Sequence, residues 1–342
     1  MPRRVSVLAS LVVLAAVLGH TGCAAPGDAT VATGAADTAG AADPLPSWRD
    51  GAAKAAIVEY LDAVTDPAGP DFVPVAERIA VVDNDGTLWC EQPADPSTLF
   101  QVSLLRSLAR EGRIDADEMP LSAWLAGDDD ALRRHGMSDA YAALNAAFAG
   151  LPVAAYRDSV RSFLARARHP EFGVPYPDLY YLPMLDLVRL LELRRFQVWV
   201  STGAEQDFVR AYLEPVTGLP PERLIGTWTT PVYSVADDGA VAMIRGAART
   251  YNGREHKPVN IETRIGRRPI FAAGNSDNDE PMCRWTLAGE RRALALWIDH
   301  DDAEREYLAD GGVDRIAALC REHPAAIAVS MRRDWVRVFA AR

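Results

Sequence analysis

Apolar positions along this chain follow two periods. Short, nearly unbroken apolar runs at residues 79–82, 196–200, 224–227, 269–273 and 293–298 read as strands buried on both faces. Elsewhere the spacing lengthens to that of a helix. Ala52, Ala55, Ile57, Tyr60, Leu61 and Val64 form one stripe, opened by Asp50 as an N-cap and closed before Pro67. Similar stripes predict helices over residues 98–109, 121–125, 131–148, 156–167, 184–193 and 206–213. Residues 231–235 and 241–244 flank Asp237-Asp238-Gly239, the composition of a hairpin turn. Strands alternating with helices imply an α/β fold, a Rossmann-like parallel sheet with helices on both faces and ligands at the carboxyl ends of the strands.

About a hundred residues separate the first two strands, more than a crossover requires, so a helical cap is expected over residues 93–193, punctuated by Pro170, Pro175 and Pro177. The α/β core then comprises residues 48–92 and 194–342. Arg3 and Arg4 precede an apolar run at residues 5–18, the pattern of a secretory signal peptide. His20-Thr21-Gly22-Cys23 resembles the lipobox of bacterial lipoproteins, with His20 where an aliphatic residue is usual; it implies residues 1–23 as signal and lipid anchor, ordinary cleavage being the alternative. Residues 24–47, rich in Ala, Gly, Thr, Asp and Pro, read as a flexible tether. An exported chain, held at the cell envelope through Cys23 or released as a soluble protein, is the expectation.

The 342 residues are 49% hydrophobic and 24% charged, enough for a sizeable core. A net charge of −11 without a dense basic stretch argues against nucleic acid or an anionic membrane surface as partner. Four cysteines, Cys23, Cys90, Cys283 and Cys320, show no zinc spacing; Cys90 and Cys283, each close behind a polar strand end, are candidates for one disulfide.

The chemistry gathers at the strand ends. The first strand stops at Asp83-Asn84-Asp85-Gly86-Thr87, the second at Ser201-Thr202-Gly203, and the fourth at Gly274-Asn275-Ser276-Asp277-Asn278-Asp279; Lys257 lies between. Phosphate-ester hydrolysis needs a nucleophile, a proton donor for the leaving oxygen, and cations to hold the transferring phosphoryl. Asp83 can attack, Asp85 can move protons, Ser201 and Lys257 can bind phosphate, and the Asn275–Asp279 cluster can complete a magnesium shell.

In this order the four segments resemble the signatures of the haloacid dehalogenase (HAD) superfamily, in particular its phosphatase branch, and the helical insert resembles the C1 cap of phosphoserine-phosphatase-like members. The resemblance implies Asp83 as nucleophile and metal ligand, Asp85 as acid/base whose backbone carbonyl also binds Mg2+, and Ser201 and Lys257 as phosphate binders. Asn275 stands where that family usually has an aspartate. It and Asp279 are the implied remaining metal ligands, with Asp277 as a rival. The substrate expected is a small phosphorylated molecule. Acceptors other than water, making a phosphotransferase, and a catalytically idle envelope-binding module are the alternatives. Glu91 could recognise an amine, Arg133, Arg134 and His135 a second anion, and Tyr176, Tyr180 and Tyr181 could line a pocket; each is also compatible with solvated surface or packing.

Overall fold

Four consecutive apolar residues can all be buried only in a strand covered on both faces, and Ile79–Val82 (β1) occupies such a place at the centre of the sheet. The computed structural model describes residues 43–309 and 311–340; the signal peptide, the Cys23 anchor and nearly all of the tether lie outside them. With β2 Gln197–Glu205, β3 Leu224–Val235, β4 Val241–Thr250, β5 Phe271–Gly274, β6 Leu294–Asp299 and β7 Ala326–Ser330, the sheet runs in the order β4-β3-β2-β1-β5-β6-β7. All pairings are parallel except β3 with β4. Val81 sits between Trp199 of β2 and Ala272 of β5. Ala80 and Val82 face the larger apolar cluster, while Val81 faces a smaller one on the other side.

Helix α1, Ala52–Thr65, precedes β1, and five helices form the insert: α2 Pro96–Arg110, α3 Leu121–Ala126, α4 Asp129–His135, α5 Met137–Ala147 and α6 Val153–Arg166. Asp95 caps α2 by accepting from the Ser97 and Thr98 amides, with Pro96 just inside the helix. The single helix expected over residues 131–148 is two, because Gly136 adopts φ 100°, outside helical space, and turns the chain between α4 and α5. The remaining helices are α7 Leu182–Leu193, α8 Gln206–Arg210, α9 Leu213–Thr217, α10 His256–Ile265, α11 Glu280–Leu287, α12 Asp314–Glu322 and α13 Met331–Asp334. Among the described residues no helix is long and apolar enough to cross a membrane.

Three features depart from the sequence-based expectation. Helix α7, counted with the cap, packs on β2 and serves as the crossover back into the sheet. Strand β7 and helix α12 extend the core where no element was expected: Ala326-Ile327-Ala328-Val329 carries two alanines, whose strand preference is low, and pairs with β6. The hairpin of β3 and β4 lies against α5 and α6 of the cap rather than standing apart from it. Its backbone is stitched to the cap by Arg245 N to Leu151 O and Gly150 N to Arg245 O, each 2.8 Å.

Arg245 anchors that junction. Its guanidinium is buried 3.9 Å from the Tyr156 ring centre of α6, and Nη1 donates to Glu205 at 2.8 Å and Asp207 at 3.3 Å, at the end of β2 and in α8. Removing one member of a buried ion pair strands the other charge, a loss of roughly 3–5 kcal/mol. Arg157, which also holds Asp207, softens it. Arg245→Met should therefore lower the free energy of unfolding by about 3 kcal/mol in urea denaturation; an unchanged midpoint would show that the hairpin does not depend on this pair.

Candidate active site

The chain runs from β1 through β2 to β3 on one side and returns to β5 on the other, so β1 and β5 flank the switch point of the sheet, where a crevice opens at the carboxyl ends. Asp83 leaves β1 there, its amide donating to Ala273 O of β5 at 2.9 Å. The next residues fold into a tight turn: Asn84 O accepts from the amides of Thr87, Leu88 and Trp89, and the Gly86 amide donates to Trp89 O. Gly86 has φ 69°, and a β-carbon there would lie 2.0 Å from Asn275 Nδ2. The turn brings Trp89 back so that its Nε1 donates to Asp85 Oδ1 at 2.7 Å, while Thr202 Oγ1 donates to Oδ2 at 2.8 Å. Asp85 is thereby held over the same cleft as Asp83.

The turn is also gripped by the residue that follows β6. His300 Nε2 is 2.6 Å from Gly86 O, and Nδ1 is 2.9 Å from Glu306. Both nitrogens face acceptors, which only the doubly protonated ring satisfies. Burial opposes that charge, but the Glu306 bond and charge and the Gly86 carbonyl outweigh it and raise the imidazole pKa.

Lys257, on α10 and fully buried, uses its three ammonium hydrogens on three partners: Asp83 Oδ1 at 2.5 Å, Asp279 Oδ1 at 2.5 Å and Ser201 O at 2.8 Å. Burial would lower its pKa, but Asp279 and Asp83 outweigh that and raise it. Asp83 is pushed well above the usual carboxylate range by burial and by Asp279, against the pull of Lys257, with Asp85 adding to the rise. Asp279 is wholly buried, and its Oδ2 accepts from the Asn275 and Ser276 amides at 3.0 and 3.2 Å. Both of its oxygens are thus engaged within the fold, and Asp279 braces Lys257 and the β5 loop. The rival Asp277 faces away, with Oδ1 accepting from the Arg315 and Ile316 amides at the start of α12.

The cleft between these groups, about 230 Å³, is lined by Asp83, Asp85, Glu91, Asp95, Gly203, Ala204, Asn275, Ser276 and Asn278. Asp83 Oδ2 makes no hydrogen bond among the described residues. Asn275 accepts from Thr87 Oγ1 at 3.2 Å and donates to Glu91 at 3.1 Å. Four carboxylates share the space with one buried lysine. Burial, then the Asp85 charge, pushes Glu91 up to about 7 and Asp95 up to about 6. Such a surplus of oxygen donors and negative charge fits a hard divalent cation. Among the described residues no three acidic, His or Cys side chains converge into a ready-made cage, so a cation here would draw on carboxylate, amide and backbone oxygens together.

Several expectations find different places. The Ser201 hydroxyl has no exposed surface and accepts from Asn252 Nδ2 at 3.2 Å, so the wall on that side is Gly203 and Ala204. Glu91 lines the cleft. Arg133, Arg134 and His135 end α4 in solvent, with Arg133 paired to Asp130 at 2.8 Å. Tyr176, Tyr180 and Tyr181 are buried; Tyr180 reaches Asn84 Oδ1 and Tyr181 reaches Glu306. No disulfide joins Cys90 and Cys283: both are free and buried, Cys90 in the larger apolar cluster and Cys283 in the smaller, with the sheet between. Trp89 and His300 join the site through contacts that nothing in their local sequence signals, whereas Thr202 and Asn278 lie within the polar stretches that end β2 and β5 but had no individual role assigned.

Two measurements follow from this geometry. A side chain at Gly86 forces strain and displaces Asn275, so Gly86→Ala should destabilise the protein by about 1–3 kcal/mol in urea denaturation, and an unchanged stability would mean the turn rearranges freely. Glu91 titrates near 7 in the fold against 4.5 for the ordinary group. The metal-free folded state therefore holds a proton that the unfolded chain releases, and stability falls as pH rises through this window and levels off above it. Relative to Glu91→Gln, wild-type protein in chelator should lose about 3 kcal/mol between pH 4.5 and 7.5; parallel profiles would refute the shift.

Residues 80–284, well over half of the chain, match the haloacid dehalogenase-like hydrolase family. No curated protein matches it. Among solved structures, a conserved functionally unknown protein from Anaerococcus prevotii DSM 20548 is 14% identical with TM-score 0.50, covering 80% of this chain and 90% of its own, which is a likeness of fold. A phosphoserine phosphohydrolase-like protein from Francisella tularensis is more distant, at 13% identity and TM-score 0.35 over 71% of this chain and 99% of its own. A probable phosphoserine phosphatase from Vibrio cholerae is similar at 13% identity and TM-score 0.33, over 75% and 62%. With its sheet, its turn after β1 and its matched span in agreement, the chain belongs to the haloacid dehalogenase-like hydrolases.

Proposed function

We propose that this hydrolase is a magnesium-dependent phosphatase that cleaves a small phosphate monoester through an aspartyl-phosphate on Asp83. The observation that carries the reading is the setting of Asp83: one oxygen held by Lys257, the other free in the cleft, and a second carboxylate, Asp85, fixed beside it by Trp89 and Thr202. Asp83 attacks phosphorus and the ester oxygen leaves, taking a proton from Asp85. Asp85, now a base, takes a proton from water, whose oxygen displaces Asp83 from phosphorus and releases phosphate.

Asp83, the Asp85 carbonyl and Asn275 would hold the cation, which when bound offsets the charge that otherwise keeps an anionic nucleophile from an anionic ester. Lys257 fixes the Asp83 carboxylate and lends its charge to the phosphoryl site. Phosphate oxygens would meet the Gly203 and Ala204 backbone on one side and the Asn278 amide on the other, while Ser201 braces Asn252 and supplies a carbonyl to Lys257. Export and anchoring through Cys23 belong to the same proposal and rest on the leader sequence.

Hydrolysis of p-nitrophenyl phosphate tests it. Turnover should require Mg2+, vanish in chelator and fall by at least about a thousandfold in Asp83→Asn, the scale of a lost covalent nucleophile. Metal-independent turnover, or none above the variant on this and a panel of phosphorylated metabolites, would overturn the reading. Excess alcohol yielding a new phosphate ester would favour a phosphotransferase.

A further inference from the structure

A second cavity, about 210 Å³, adjoins the catalytic cleft and shares Asp95, Gly203 and Ala204 with it. It opens between cap helices α2 and α5 and the β3-β4 hairpin, and Arg249 of β4 reaches it. The guanidinium lies 5.0 Å from the Tyr141 ring of α5 and 5.3 Å from the Tyr251 ring just past β4. Cation–π contacts of this kind hold an arginine in place without using its five N–H donors.

What it lacks is an acid. Arg245, four residues earlier, has Glu205 and Asp207, whereas Arg249 makes no ion pair and no side-chain hydrogen bond among the described residues. Nor are the nearby carboxylates free to serve it. Glu205 holds Arg245 and accepts from the Phe208 amide, and both oxygens of Asp95 cap α2. A half-buried guanidinium whose donors no protein group uses can exchange water for an anionic ligand in the cavity before it. As a brace alone it would need no cavity in front of it, and an apolar residue would stack as well.

We propose that Arg249 is an anion-binding subsite of the active site, and that the substrate is a small phosphomonoester carrying a second anionic oxygen group, a carboxylate or another phosphate, at its far end. This deepens the phosphatase reading and rests on it for the first anion. The planar fork of arginine suits either group. The size of the two adjoining cavities limits the ligand to a few carbons between its anions, and the free positive charge disfavours a cationic tail such as that of phosphocholine.

The test compares 3-phosphoglycerate and 1,3-propanediol bisphosphate with glycerol 1-phosphate and phosphocholine. Wild-type kcat/KM for at least one dianionic-ended compound should exceed that for glycerol 1-phosphate tenfold or more, with phosphocholine lowest, and the better of the two names the second group. In Arg249→Gln and Arg249→Met the ratio should collapse to within about threefold, mainly through KM, and Arg249→Lys should recover part of it. Because the ratio is taken within one variant, a fall in folded fraction cannot mimic the result. A ratio of one in wild type, or one indifferent to position 249, overturns the subsite even if turnover is robust. Calorimetric binding of the same compounds to wild-type and Arg249→Gln protein separates the two claims: an Arg249-dependent tenfold preference without turnover keeps the subsite and sinks the phosphatase reading, and no preference in either measurement sinks the subsite.

Discussion

A buried ammonium must find partners or lose its charge, and Lys257 finds three, each on a different part of the sheet: Asp83 after β1, the Ser201 carbonyl within β2, and Asp279 in the loop after β5. Without that cation Asp83 and Asp279 would repel one another across the switch point. With it, the loop after β5 is pinned, because Asp279 turns its other oxygen onto the Asn275 and Ser276 amides. One side chain thus sets the spacing of the strand ends on which any chemistry here must be done. Asp83 is oriented by the same contact that keeps its charge tolerable.

The second determinant is the meeting of cap and hairpin. Arg245 joins α6, β2, α8 and β4 in one buried cluster, and Arg249, four residues further along β4, lines the adjoining cavity. The cap is therefore not a purely helical lid. Part of the wall that would meet a substrate is contributed by a segment inserted between the second and third chemical segments of the chain, far in sequence from the helices it touches.

Much of the site was legible in the sequence because its chemistry lies in short contiguous stretches that end buried strands. Asp83-Asn84-Asp85 could be read as a site as soon as residues 79–82 were read as a doubly covered strand. What could not be read is direction. Asp277 and Asp279 are two residues apart, and only the fold shows that one caps α12 while the other sits under Lys257. Ser201 and Thr202 both carry hydroxyls, and the twist of β2 turns Thr202 to Asp85. The hairpin was visible as a hairpin, but its partner was not, since Pro152 and Ile244 are bridged across the whole crossover. Cys90 and Cys283 follow strand ends at similar distances, yet they diverge to opposite faces of the sheet, because Cys90 follows the turn after β1 while Cys283 is carried by α11.

That divergence has a chemical consequence. Oxidants and disulfides react with the thiolate rather than the thiol. Burial, and then the charge of Glu306, raises the Cys90 pKa, and burial with Asp279 does the same for Cys283. Each sulfur is thus kept protonated first by burial and then by a neighbouring carboxylate, and the sheet keeps the two from meeting. Neither of these two thiols is therefore a ready target for oxidation or for pairing with the other.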